Sequence, residues 1–88
     1  MLNKKENNSA SLRVHFQEFM AMVHEKINLQ RKKKTINPLI AVAKGIAKKN
    51  KIIIFDELEI LDIADAMIVA KLFYVLIKKG VSFVITSN

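Results

Sequence analysis

Cysteine is absent from these 88 residues. That excludes a disulfide framework and every thiolate zinc site, and it fits a reducing compartment. Glycine occurs only twice, as Gly45 and Gly80. A glycine-rich phosphate loop of the GxxxxGK(S/T) or GxGxxG type needs glycines much closer together, so the sequence contains neither. Long apolar runs are missing as well. The longest weakly charged stretch, Ala66–Ile77, is twelve residues interrupted by Lys71, well short of the ~20 needed to span a bilayer. The opening MLNKKENNSA has no apolar core of the signal-peptide kind, and its cations are lysines beside Glu6, unlike an arginine-rich transit peptide. The chain therefore reads as cytoplasmic.

What is present is apolar and basic. Apolar residues make up 51% of the chain, too many for a disordered tail, and the length suits one small domain or part of a larger one. The net charge of +7 is uneven: residues 1–51 carry 12 Lys+Arg against three Glu, a balance of +9, and residues 52–88 carry three Lys against five acids, a balance of −2. A basic half can serve nucleic acid or anionic lipid. The simpler reading is a solvated face.

Strand and helix signals alternate. Residues 1–12 read as disordered or frayed, and Arg13–Phe16 as a short β-type run. Glu18–Leu29 has helical apolar spacing, with Phe19, Met20, Met22, Val23, Ile27 and Leu29. After the basic connector Arg31–Lys34, Asn37 and Pro38 form a cap-and-first-position pair for a helix that ends near Lys49–Asn50. Ile52–Phe55 is a continuous apolar run that does not alternate, which predicts a parallel strand buried on both faces. Asp62 is a helix cap, with Asp65 in the first turn. Gly80 suits the position just past that helix, and Val81–Thr86 follows as a second buried-type strand. The order β-α-α-β-α-β predicts an α/β fold with parallel pairing and right-handed crossovers.

In parallel α/β sheets ligands sit at the carboxyl ends of the strands. The first strand of interest ends in Asp56–Glu57, the Walker B arrangement. There an aspartate faces Mg²⁺ on nucleotide phosphates, and the glutamate points to where a water can attack. Taken alone, an acidic turn after a buried strand is an ordinary structural feature. The second strand leads into Thr86-Ser87-Asn88, and a polar amide beside Walker B is where AAA-type ATPases place sensor 1.

The run Phe55 to Met67 (FDELEILDIADAM) closely resembles the Walker B region of the ZapE-type ATPases, bacterial relatives of the mitochondrial AFG-one-like ATPases. Leu72-Phe73, Leu76, Gly80-Val81 and Thr86-Ser87-Asn88 continue the resemblance. Upstream, Arg13–Phe16, Phe19-Met20, Val23-His24, Asn37-Pro38-Leu39 and Val42-Ala43 extend it, so that it covers Arg13 to Asn88. Departures include Leu58, Ile60, Leu61 and Gln17, where the family usually has Phe, Val, Thr and a second His. The resemblance implies a partial P-loop NTPase (AAA-like) three-layer fold over residues 13–88. Its three parallel strands would be the second, third and fourth of the core, without the Walker A strand. The loop would belong upstream of Arg13, and sensor 2 and arginine-finger segments downstream of Asn88. The implied cofactors are ATP and Mg²⁺. The implied roles are Mg²⁺ organisation through water for Asp56, water activation for Glu57 and water orientation for Asn88. The implied partners are division-machinery proteins or a separately encoded Walker A half.

Without the loop, Asp56 and Glu57 offer phosphates only negative charge, so the chain by itself is expected neither to bind ATP tightly nor to hydrolyse it. Val81–Ile85 is expected to be an exposed edge and the product marginal or aggregation-prone. His24-Glu25 begins an HExxH pattern that Asn28 breaks, so His15 and His24 read as structural. Phe16, Phe19, Phe55, Phe73, Tyr74 and Phe83 fall at expected core positions, as do Met20, Met22 and Met67. The aromatic residues are not interleaved with the basic residues Arg31–Lys34, Lys48, Lys49 and Lys51, so no base-stacking platform is apparent and nucleic-acid affinity is expected to be at most non-specific.

Overall fold

The computed structural model describes residues 11–60 and 62–86. Strand β1 (Ser11–Val14) is followed by helices α1 (Phe16–Lys32) and α2 (Pro38–Lys49), strand β2 (Ile52–Phe55), helix α3 (Ile63–Lys78) and strand β3 (Ser82–Ile85). The strands form one parallel sheet in the order β1-β2-β3. Both crossovers run in the same direction. Because a parallel crossover is right-handed, the helices all fall on one face of the sheet. The chain thus supplies the sheet and one helical layer of the expected α/β architecture.

Local chemistry accounts for the helix ends. The Asn37 side chain accepts from the Ile40 N–H at 3.4 Å, with Pro38 at the first helical position. The Asp62 carboxylate accepts from the Ala64 N–H at 2.9 Å. Each satisfies a donor that the helix itself leaves open. At the other end of α3, Gly80 adopts φ +93°. Its N–H donates to Ile77 and that of Val81 to Leu76, both at 3.0 Å. This is a Schellman stop, and buried Val81 packs over the last turn. The end of α1 has the same hydrogen bonds, Lys34 to Arg31 and Thr35 to Gln30. There, however, Lys34 occupies the left-handed position at φ 60°.

In the sheet register, Leu12, Ile53 and Phe83 lie side by side, as do Arg13, Ile54 and Val84. Strand side chains alternate, so Leu12, Val14, Ile53, Phe55 and Phe83 face the helices. Ile53 and Phe55 are fully buried there with Phe19, Val23, Leu72 and Leu76. Phe55 has ring contacts with Phe16, Phe19, Phe73 and Phe83 at centroid distances of 5.7, 5.1, 5.9 and 6.3 Å.

Several expectations are corrected. The first strand occupies Ser11–Val14 rather than Arg13–Phe16, because Phe16 turns into the core as the first residue of α1. Ser11 and Leu12 are thus ordered into β1, while residues 1–10 lie outside the described residues. β2 is not covered on both sides: Ile52 is exposed and Ile54 only half-buried, since among the described residues no helix lies on their face. Val84 is exposed on that bare face too, and Ile85 is exposed at the carboxyl end of the edge strand. Met67 and Tyr74 leave the expected core. They lie on the outer side of α3, 58% and 63% exposed, while Val69, Leu72 and Leu76 take the inner side.

Candidate active site at the carboxyl ends of the strands

Parallel pairing brings the ends of all the strands to one edge. His15 follows β1, Asp56 follows β2 and Thr86 follows β3. The position of Asp56 is set from behind: the buried Phe55 ring anchors the last residue of β2 in the aromatic cluster. It is also set from the side. The Thr86 N–H donates to the Phe55 carbonyl at 2.8 Å, and the Thr86 hydroxyl donates to the Asp56 carbonyl at 3.2 Å. Farther along the loop, the Gln17 amide donates to the Glu59 carbonyl at 3.2 Å, and Leu58 packs against the core. The loop that leaves the strand is therefore tied to β3 at its start and to α1 in its middle.

Arg13 donates from its guanidinium to the Asp56 carboxylate and forms an ion pair with it. The topology explains this meeting. Arg13 is in register with Ile54, and the side chain two residues past Ile54 returns to the same sheet face. The pair is open to solvent, with 61% of the Arg13 side chain and 36% of the Asp56 side chain exposed. Glu57 is exposed and accepts no side-chain hydrogen bond among the described residues. Asn88, the expected sensor, lies outside the described residues, as does Ser87.

The histidines do not converge on this edge as a pair. His15 precedes α1 and is exposed, with no capping bond from its side chain. His24 lies a helix away, its Nε2 3.0 Å from Asp65 Oδ1. The two aspartates of the DIADAM run thus have structural work: Asp62 caps α3, and Asp65 ties α3 to α1.

Among the described residues no three His, Cys, Asp or Glu side chains cluster as a metal cage. Two carboxylates at a strand end suit the metal side of a Mg²⁺-nucleotide, where the cation keeps waters and takes its remaining ligands from phosphate. The phosphate side needs backbone N–H donors and a lysine from a glycine-rich loop, and these 88 residues contain no such loop. The residues present therefore fit one half of a nucleotide site and not the other. Arg13 was not among the residues expected here. Its signal in the sequence is a lone cation inside an apolar strand, and that acquires meaning only once the register with Ile54 is fixed.

Comparison with known proteins gives a consistent picture. Residues 4–88 match the model of the AFG1-like ATPase family. The chain is 42% identical over 88 residues to an uncharacterized protein of Schizosaccharomyces pombe, covering 98% of this chain and 19% of that protein. It is 41% identical over 90 residues to Lactation elevated protein 1 homolog B of Danio rerio, covering 92% of this chain and 18% of the relative. It is 34% identical over 76 residues to Cell division protein ZapE of Escherichia coli strain K12, covering 86% and 20% respectively. The chain spans about a fifth of the length of these curated relatives. No solved structure matches it.

Proposed function

The chain belongs to the AFG1-like ATPase family, and from that premise we propose that it carries the metal-facing and water-facing half of an ATP-hydrolysing site. The observation that carries this reading is the placement of Asp56 and Glu57 directly after the buried strand β2, with Thr86 of the neighbouring strand end fixing the carbonyls of Phe55 and Asp56. In this reading Asp56 is the Walker B aspartate that would hold Mg²⁺ through water. Glu57 would orient or deprotonate the attacking water, and Asn88 would be the sensor that aligns it. When bound, Mg²⁺ would offset charge on the phosphates. These 88 residues contain no glycine-rich loop to supply the phosphate-side donors, so the chain alone is expected not to hydrolyse ATP.

We propose further that its partners are division-machinery proteins or a separately encoded Walker A half, that its compartment is the cytoplasm, and that its role is associated with cell division, as the name of the Escherichia coli relative suggests. Co-expression tests the reading. The chain is produced with a loop-bearing amino-terminal segment of a relative, and binding of a fluorescent ATP analogue is measured. Mg²⁺-dependent binding by the pair, weakened by Asp56→Ala and absent from the chain alone, is the expected outcome. A pair that binds equally well with Asp56→Ala contradicts it.

A further inference from the structure

The opposite edge of the molecule holds a groove between α1 and α2, about 900 Å³ in volume, at the amino ends of β1 and β2. Its floor is apolar and includes Met22, Leu29, Val42 and Ile46. Its rim carries Lys26 and Lys33 from α1, with Lys48 and Lys49 from α2. Among the described residues no acid and no aromatic ring lines it. Leu29 remains half exposed in the groove, although it is part of the apolar stripe of α1.

Gly45 gives an independent observation. It lies within α2 and lines the groove. A Cβ placed on it would meet no neighbouring heavy atom within 4 Å, so packing does not require a glycine there. Glycine inside a helix is unfavourable relative to alanine. The position therefore leaves open space beside the groove that a larger side chain could enter.

We propose that this groove is a docking site for an acidic amphipathic segment of a partner protein, with apolar anchors on the floor and carboxylates on the lysine rim. Charge complementarity selects the sign of the occupant. The apolar floor selects its kind, since a helix laid in a groove uses such a floor and a phosphodiester backbone does not. The lack of rings leaves nucleobases nothing to stack on. The chain's own first ten residues are unsuited to the role, because Lys4 and Lys5 against Glu6 give them the sign of the rim. The proposal does not depend on the reading of Asp56 and Glu57.

The test is fluorescence anisotropy on the full chain with a labelled helical peptide bearing leucines on one face and glutamates on its flanks. Two controls are a peptide with serines replacing the leucines and an oligothymidylate of equal charge. The leucine–glutamate peptide is expected to bind at least about tenfold more tightly than either control, a difference of ~1.4 kcal/mol. Paired Lys33→Glu and Lys49→Glu substitutions should weaken it about tenfold or more. Gly45→Leu, which projects a bulky side chain into the groove, should weaken binding about tenfold or more, while Gly45→Ala, which barely enters it, should retain binding and secure the fold of α2. Equal binding of either control, binding unaffected by Gly45→Leu in a folded chain, or failure of the peptide to bind to both the parent chain and Gly45→Ala would overturn the proposal.

Discussion

At Asp56 a carboxylate meets an arginine from the neighbouring strand, and the two sides of that residue have very different energetic weight. The ion pair is more than a third exposed on both partners. Solvent screening limits such a pair to roughly 0–1 kcal/mol. Behind it, the Phe55 ring is fully buried among four others. Truncating a buried phenylalanine costs ~3–5 kcal/mol, a large share of the ~5–15 kcal/mol that holds a domain together. Urea unfolding followed by circular dichroism should therefore show Arg13→Ala within about 1 kcal/mol of the parent. Phe55→Ala should largely unfold the chain. Two glycine exchanges should raise stability. Gly45→Ala removes a helix-interior glycine and should gain ~0.5–1 kcal/mol, and Lys34→Gly relieves a left-handed lysine that costs ~1–2 kcal/mol. A lower midpoint for either variant would contradict the roles given to these positions.

The helix ends show how far elements can be read from residues. Asn37-Pro38, Asp62 and Gly80 each satisfy a backbone need that is local, so they mark boundaries without knowledge of the rest of the molecule. Strand burial is not local in this sense. The unbroken Ile52–Phe55 run announces a strand able to be covered on both faces, but whether a layer lies on the second face depends on crossover direction. Met67 and Tyr74 are similar: helical spacing groups them with apolar residues, and only the position of α3 at the side of the layer leaves them in solvent. β1 lies two residues earlier than the sequence pattern suggests, because Phe16 extends that pattern while its backbone has already turned helical. The same gap separates Asp56 and Glu57, legible as acids at a strand end, from Arg13, whose role arises from a pairing 43 residues distant. One prediction belongs to this scale. Among the described residues β3 has no strand paired to its outer edge, next to exposed Val84 and Ile85. A lysine on such an edge discourages strand pairing between molecules. Val84→Lys should lower self-association in sedimentation velocity without changing the far-ultraviolet spectrum, and unchanged association would mean that contacts between molecules form elsewhere.

The whole molecule has two chemically distinct edges. Carboxylates gather where the strands end, and a lysine-rimmed apolar groove lies where they begin. The groove was legible only in part. Arg31–Lys34 and Lys48-Lys49 stand out as basic, but their relation to Leu29 and Gly45 requires two helices to be placed side by side. Among the described residues no helix is long and apolar enough to cross a membrane. The chain belongs to the AFG1-like ATPase family, and we propose that it carries the metal-facing half of a site of ATP hydrolysis without the phosphate-binding loop. Steady-state ATP hydrolysis by the purified 88-residue chain with Mg²⁺ tests that claim most directly. A rate indistinguishable from that of Glu57→Gln prepared in parallel is expected. Mg²⁺-dependent turnover by the parent chain that Glu57→Gln abolishes would contradict it.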